Sequence, residues 1–427
     1  MRVLLTLFAV PDAWAFCGTY VGTTDAPTNS ASEVIIARSD TRSTLTIGND
    51  IHGDTRAFAL VVPVPEVLGE DMIHVLDPTL FDRFRAYSAP REVSYDCADF
   101  EYESDTDTDT DSDTDTDSDT DTDTVTVEAE YIVGEYQVQI LAAEQSTGLV
   151  DWLQANGYNV PDASANLLGE YIDSGSYFFA AQVREEAGIE DGDRLSPLQF
   201  TYDSEVFSLP IRLGTLNSPG EQDLVIYTLN DYSDGAVSVS NYDEATVEEG
   251  CMLEPEEDLT THVETELEKA FSTNDRLHWV TEYAWGNGDC DPCTGGQLYE
   301  QDLVNAGFTP DYHYGYDYFF TRLHLRYAPE AVDQDLVLYQ SRRRTNQQLR
   351  YIQYNYDMED RFPMCGTGFA DTPGSCDGDP STPYDDTGDT LGPDPSEPAA
   401  SECGCSSAGG GGLLPVLGAL LAIRRRR

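Results

Sequence analysis

Lysine is almost absent from this chain of 427 residues, and cations as a whole are scarce. There are 23 Lys and Arg residues, of which only Lys269 is a lysine, against 79 Asp and Glu residues. The formal net charge is −56. A surface this acidic repels nucleic acid phosphates and anionic lipid head groups. The composition therefore argues against nucleic acid as a partner, and we interpret the charge as a source of solubility.

Signatures of the common enzyme classes are missing as well. The sequence has no G-x-S-x-G turn, no H-E-x-x-H helix and no glycine-rich phosphate loop. Asp50-x-His52-Gly53 is similar to the first metal motif of metallophosphoesterases, but the later parts of that signature are absent. His313 and His324 lie among tyrosines, which favours an aromatic sheet face, with a carbohydrate-binding platform as the alternative. We predict no catalytic residue, no metal ligand and no cofactor.

The N-terminus has the pattern of a secretory signal peptide. Arg2 precedes a largely apolar run over residues 3–10, and Ala13 and Ala15 form a small-x-small cleavage motif. We predict that residues 1–15 are a signal peptide cleaved after Ala15, and that the mature chain is exported.

A long hydrophobic run is also missing from the C-terminus. Residues 409–423 carry no charge, but a membrane-spanning helix needs about 20 apolar residues. Cys403 and Cys405 precede this segment, and four arginines follow it. These are Arg424, Arg425, Arg426 and Arg427. Such an order is typical of a sorting signal read by membrane machinery, and a short anchor that stays in place is the alternative.

This tail, residues 403–427, resembles the myxobacterial C-terminal sorting signals (MYXO-CTERM). The resemblance implies processing and anchoring at or near Cys403 or Cys405. The implied partners are the membrane, through the tail, and the export and sorting machinery. We expect an exported protein that is anchored at the cell surface or outer envelope through its C-terminus.

Two segments are of low complexity. Residues 105–124 alternate ten aspartates with Thr or Ser, and because nothing apolar can be buried there, we predict a disordered insertion. Residues 371–402 are rich in Pro, Gly, Asp, Ser and Thr and are predicted to form a spacer. Residues 16–370, which contain the acidic insertion, are the predicted body.

The body is predicted to have an α+β fold, with an antiparallel-dominated β-sheet and several short helices. Alternating and β-branched runs predict strands, and apolar residues three to four apart predict helices. The predicted strands are residues 32–39, 42–50, 56–65, 91–97, 124–141, 176–184, 195–203, 205–214, 223–231, 235–242, 318–329 and 334–342. The predicted helices are residues 77–88, 146–157, 163–175, 258–272 and 297–307.

The chain has nine cysteines, and in an exported protein the expectation is disulfides. The predicted disulfide cysteines are Cys17, Cys97, Cys251, Cys290, Cys293 and Cys365. Their connectivity stays open. Cys290 and Cys293 form a C-x-x-C pair between a predicted strand and a predicted helix, which is the local order of a thioredoxin-type redox site. No βαβ pattern surrounds the pair, so a structural role is favoured over redox chemistry or zinc.

Several stretches of the body resemble the exported bacterial family known as domain of unknown function 2330. In chain order they are AFCGTYVG, FALVVPVP, IHVLDPTLFDRFRAYSAPR, GLVDWLQANGYNVP and CDPC. The resemblance implies export and a single composite domain over most of residues 16–366. It implies no chemistry, because the family has no established activity.

We therefore expect a secreted, cell-surface-anchored protein of unknown biochemical activity, with a structural or interaction role in the envelope, and not an enzyme. One alternative is an extracytoplasmic thiol-disulfide oxidoreductase that uses Cys290 and Cys293. The other is a glycan- or cation-binding module. The sequence does not identify a protein or glycan partner.

Overall fold

The computed structural model describes the segments of the chain that carry its sheets and helices. These are residues 19–22, 28–52, 58–93, 125–143, 146–155, 162–184, 195–217, 220–248, 250–252, 258–272, 277–286, 296–309 and 318–353. The chain divides into two compact units, and all of these residues belong to the unit made of Met1–Ser94 and Thr106–Tyr354. The predicted signal peptide, acidic insertion, spacer and tail lie outside the described residues.

The described residues form five α-helices and twenty β-strands. The helices are α1 (Thr79–Ser88), α2 (Ser146–Ala155), α3 (Asp162–Asp173), α4 (Leu259–Phe271) and α5 (Glu300–Asn305). The first ten strands are β1 (Thr19–Gly22), β2 (Thr28–Ser39), β3 (Arg42–His52), β4 (Phe58–Val64), β5 (Ile73–Val75), β6 (Arg91–Val93), β7 (Val125–Val133), β8 (Tyr136–Ala143), β9 (Tyr177–Val183) and β10 (Leu198–Asp203). The others are β11 (Ser208–Leu209), β12 (Gln222–Asp231), β13 (Val237–Val239), β14 (Asp243–Glu244), β15 (Gly250–Met252), β16 (His278–Gly286), β17 (Tyr318–Tyr327), β18 (Leu336–Gln340), β19 (Gln347–Gln348) and β20 (Arg350–Gln353).

The described strands form four sheets. A five-stranded antiparallel sheet has the order β1-β4-β9-β8-β7. A nine-stranded sheet has the order β14-β16-β17-β12-β2-β3-β10-β5, with β19 also paired to β16, and its β2–β12 and β14–β16 pairs are parallel. The small sheets are β11-β18-β13, which is antiparallel, and β15-β20-β6, which is parallel. The predicted α+β fold with mainly antiparallel pairing is confirmed.

The main core lies between the five-stranded and nine-stranded sheets. Because side chains alternate along a strand, Leu60 and Val62 of β4 enter this core while Val61 faces the other side of its sheet. In β2, Val34 enters the same core and Ile35 faces away. Burying each of these side chains contributes about 2 kcal/mol to folding.

Helices cover the outer faces of both sheets. On the nine-stranded sheet, α1 packs through Phe84 and α5 through Leu303, while α4 packs near β16 through Leu267. On the five-stranded sheet, α2 packs through Leu153 and α3 through Leu168. The order is therefore helices, sheet, sheet, helices. Among the described helices, none has the length and apolar character needed to cross a bilayer.

Several predicted elements are shorter in the structure than expected, and local chemistry explains two of them. The helix predicted over residues 77–88 begins at Thr79, whose backbone N–H donates to the carboxylate of Asp77 at 2.8 Å. The strand predicted over residues 205–214 is confined to Ser208–Leu209. Pro210 follows and has no N–H to donate, so the ladder ends there.

Gly235 turns the chain into β13 in a conformation that only glycine adopts readily, with φ 70° and ψ −158°. A Cβ atom there would lie 2.4 Å from the backbone oxygen of Arg343. We expect Gly235→Ala to lower the free energy of unfolding by about 2 kcal/mol, measured by urea denaturation. Gly175→Ala is the matched control, because Gly175 has φ +84° but no atom within 4 Å of a Cβ. Gly175→Ala should lower the free energy of unfolding by about 1 kcal/mol. Equal losses for the two variants would contradict the predicted clash at Gly235.

Candidate functional site

One face of the nine-stranded sheet carries a cluster of ionisable side chains beneath the helices. Arg322, His324 and Arg326 of β17 share this face because they are two residues apart. In the register between β12 and β17, Asp223 lies opposite Arg326. Glu282 joins from β16, on the other side of β17. We call these five residues the ionic cluster.

Glu282 reaches the cluster through a β-bulge. In the register between β16 and β17, Thr281 pairs with Leu323 and Tyr283 pairs with Arg322, so Glu282 is the extra residue. A bulge redirects a side chain that regular alternation would place elsewhere. The side chain of Glu282 is 1% exposed.

The cluster is held by short contacts between opposite charges. The two ring nitrogens of His324 face two carboxylates, with Nδ1 2.5 Å from Oε1 of Glu282 and Nε2 3.0 Å from Oδ1 of Asp223. Arg326 donates two hydrogen bonds to Asp223, from Nε at 2.8 Å and from Nη2 at 2.7 Å. Nε of Arg322 lies 2.8 Å from Oε2 of Glu282. Each carboxylate therefore has two cationic neighbours.

These contacts decide the protonation of His324. Burial by itself lowers the pKa of His324, but the charge of Glu282 and the hydrogen bonds to Asp223 and Glu282 outweigh it and raise the pKa to about 9. Burial raises the pKa of each carboxylate, and the cations outweigh burial there too. The pKa of Asp223 is lowered mainly by His324 and Arg326, and the pKa of Glu282 mainly by Arg322 and His324. At neutral pH, both ring nitrogens of His324 therefore carry protons and donate.

This arrangement does not suit acid–base catalysis. A general base needs an unprotonated nitrogen near neutral pH, and both nitrogens of His324 are occupied by donation to carboxylates. Within the described ranges, no group of three or more His, Cys, Asp and Glu side chains is placed to hold a metal ion. The ionic cluster holds three cations and two carboxylates, and Arg326 also pairs with Glu264 at 3.3 Å.

A second set of ion pairs continues this face towards α1. Arg85 donates from Nε to Oε1 of Glu33 at 3.1 Å, and its Nη2 pairs with Oε2 of the same carboxylate. Its Nη1 donates to Oδ1 of Asp82 at 2.9 Å. The hydroxyl of Tyr227 donates to Oε1 of Glu33 at 2.6 Å. Glu33 therefore ties α1 to β2 and β12.

A cleft of about 650 Å³ lies over this face and is lined by α1 and α4. Its apolar lining includes Phe81, Val225, Leu259, Val263 and Leu267. Its charged lining is Glu33, Arg85, Glu264, Glu282, Arg322 and His324. Volumes of this size are typical of small-molecule sites.

Most of the site residues predicted from the sequence lie outside the described residues. These are Ala15, Cys17, Cys97, Cys290, Cys293, Cys365, Cys403, Cys405, Arg424, Arg425, Arg426 and Arg427. Cys251 is described. It lies in β15 and is disulfide-bonded, and its partner is outside the described ranges.

The ionic cluster is the feature that sequence reasoning missed. His324 is predicted to lie on an aromatic sheet face, and the face is aromatic at one end, where Phe84 packs against Tyr227 and Phe320 with ring centroids 5.9 and 5.6 Å apart. His324 itself lies at the ionic end. The available signal was the spacing of Arg322, His324 and Arg326 in an otherwise apolar strand, which places three cations on one face.

Residues 11–339 match the family described as an uncharacterized protein conserved in bacteria, DUF2330. The chain belongs to this family. The predicted membership is thus confirmed, and the DUF2330 region contains the whole ionic cluster and all charged residues that line the cleft.

No curated protein matches the chain. Among solved structures, the DUF2330 chain is similar to a mutated baculovirus P35 after caspase cleavage, with 8% identity, coverage of 72% of this chain and 99% of that chain, and a TM-score of 0.30. It is also similar to baculovirus P35, with 10% identity, coverage of 75% and 99%, and a TM-score of 0.27. Scores this low assign neither a fold nor a function.

Proposed function

We propose that this protein is an exported binding protein of the cell envelope, anchored at the cell surface through its C-terminus, and not an enzyme. The observation that carries the proposal is the order of the two chain ends. A signal peptide pattern occupies residues 1–15, and cysteines, glycines, a short apolar run and arginines follow one another in residues 403–427. Both patterns are read by membrane machinery.

The disulfide at Cys251 supports an extracytoplasmic location. Structural disulfides persist in oxidising compartments, and they are rare in the cytosol. The net charge of −56 is compatible with this location, because it keeps the body soluble and away from anionic surfaces.

The ionic cluster and the cleft above it support a binding role. The six charged side chains that line the cleft have no net charge when His324 is protonated, and His324 is held as a donor to two carboxylates. A preformed cleft with apolar walls and a few fixed polar groups is the usual form of a ligand site. Redox chemistry at Cys290 and Cys293 stays a prediction, since both lie outside the described residues.

Replacing both Cys403 and Cys405 by Ser is expected to move the mature protein from the envelope to the medium, because the tail loses its anchoring residues. The measurement is fractionation of the native host, with mass spectrometry of both mature termini. The wild-type N-terminus is expected at Phe16. The paired control Ser406→Ala with Ser407→Ala should stay in the envelope. Recovery of full-length chain with reduced thiols from the cytosol would contradict the proposal.

A further inference from the structure

The guanidinium of Arg322 makes no hydrogen bond within the described chain. Its Nε and Nη1 atoms are buried without a hydrogen-bond partner. Nε forms an ion pair with Glu282 at 2.8 Å, but the alignment of the two groups falls short of a hydrogen bond. The Arg322 side chain is 11% exposed, and it lines the cleft. Because buried polar groups nearly always have partners, a guanidinium with donors to spare indicates a ligand atom.

The other cations of the cleft either use their donors within the protein or are open to solvent. Arg85 donates from all three of its guanidinium nitrogens, to Glu33 and Asp82. His324 uses both ring nitrogens. Arg85 has two further N–H groups, but its side chain is 45% exposed, so water can accept from them. Among the described cations that line the cleft, Arg322 is therefore the one with buried donors that lack an acceptor.

The walls of the cleft indicate an apolar body for the ligand. Phe81 comes from α1, while Leu259, Val263 and Leu267 come from successive turns of α4. Val225 contributes from the sheet. Burial of hydrocarbon against these side chains supplies affinity, and a single polar contact supplies orientation.

The charges around the cleft favour an uncharged ligand. Three carboxylates line it, Glu33, Glu264 and Glu282, and three cations, Arg85, Arg322 and His324, so the lining has no net charge. The chain as a whole carries −56 and repels anions at long range. A neutral carbonyl oxygen can accept from Arg322 without meeting that repulsion.

We infer that the cleft binds an uncharged, largely apolar small molecule whose carbonyl oxygen accepts hydrogen bonds from Arg322. This inference gives a ligand class to the binding role proposed above, and it rests on that role. The binding experiment uses purified protein, so its result does not depend on where the protein is located in the cell.

Three probes with one chain length separate hydrogen bonding from charge. Octanamide is neutral and accepts, octanoate accepts but is anionic, and octylammonium is cationic and cannot accept. Titration calorimetry of the purified mature protein at low salt is expected to show one octanamide per chain, bound about tenfold more tightly than either other probe. If the net charge of the protein alone determined binding, affinity would decrease in the order octylammonium, octanamide, octanoate. That order, or no octanamide binding at millimolar concentration, would overturn the inference.

Substitutions on α4 locate the site. Val263→Trp adds bulk to the cleft wall and leaves every residue of the ionic cluster in place, and it is expected to abolish octanamide binding. Thr265→Trp is the matched control, because Thr265 is exposed on the same helix and does not line the cleft. It should bind octanamide as the wild type does. If both bind equally, the cleft is not the site.

A second measurement applies if Val263→Trp does not fold. Nuclear Overhauser contacts from the octanamide chain to methyl groups of Leu259 and Leu267 are expected in the wild-type protein. Contacts to other methyl groups instead would overturn the assignment. If octanamide does not bind, the envelope location proposed above is unaffected. If fractionation finds the protein in the cytosol, the calorimetric result is unaffected. The two proposals can therefore be contradicted independently.

Discussion

Replacing Glu282 by Gln is expected to lower the free energy of unfolding by about 3–5 kcal/mol. The substitution keeps the shape of the side chain and removes its charge. Arg322 and His324 then remain buried beside each other with one carboxylate fewer, at a position where Glu282 is 1% exposed. A buried charge that has lost its partner costs far more than the pair contributed. Urea denaturation of the purified mature protein, followed by tryptophan fluorescence, measures the change.

The matched control is Asp203→Asn, which removes a carboxylate from an ion pair on the surface. Asp203 lies 3.3 Å from Arg42, and their side chains are 52% and 55% exposed. Water screens this pair, so the expected loss is at most about 1 kcal/mol. Similar losses for Glu282→Gln and Asp203→Asn would show that the ionic cluster is not desolvated.

The ionic cluster is not needed merely to stabilise a sheet face. Apolar side chains of the same size often stabilise a buried position as well as an ion pair does. Most of the neighbouring positions on this face are indeed apolar or aromatic, including Val225, Tyr227 and Phe320. Charges that are costly to bury and that line a cleft are better explained by the binding role that we propose for the cleft.

Much of the secondary structure could be predicted from the sequence, because local patterns determine it. The run over residues 223–231 is buried almost throughout as β12, and the paired runs over residues 32–39 and 42–50 form the β2–β3 hairpin. Helix α4 begins where its cap predicts, since Asp258 accepts a hydrogen bond from the backbone N–H of Thr261. These elements depend on contacts within a few residues.

Pairing between distant strands could not be predicted in the same way. The centre of the nine-stranded sheet is the parallel pair of β2 with β12, in which Val34 lies opposite Ile226. Nothing local in either strand specifies a parallel partner nearly two hundred residues away. The prediction of antiparallel dominance was correct for the sheets as a whole, but it did not include this central pair.

The candidate site, too, could be predicted only in part from the sequence. Alternation along β17 places Arg322, His324 and Arg326 on one face, and this can be inferred from the sequence. The acidic residues that face these cations cannot be inferred in this way. Asp223 and Glu282 come from two other strands, and the bulge at Glu282 changes the register locally. The chemistry of His324 depends on those two acids, so its protonation was beyond sequence reasoning.

Alkaline pH is expected to destabilise the protein through His324. The pKa of an unfolded histidine is 6.5, whereas burial, Glu282 and Asp223 together hold the pKa of His324 at about 9 in the fold. The folded state therefore keeps a proton that the unfolded state loses between these values. The stabilisation is complete below pH 6.5 and is lost as the pH rises through 9. At 1.36 kcal/mol per pH unit, the loss is about 3 kcal/mol.

Urea denaturation at pH 6, 7.5 and 9 measures this loss, and His324→Gln is the control whose stability should change little over the same range. The groups facing the ring are Glu282, Asp223 and, from α4, the edge of Phe271 with ring centroids 5.5 Å apart. Histidine ring NMR provides a second readout, because the signal missing from His324→Gln should titrate near pH 9 in the wild type. A midpoint near 6.5 would mean that the carboxylates do not hold the proton. His324 would then be available as a general base, and the argument against acid–base catalysis at the ionic cluster would fail.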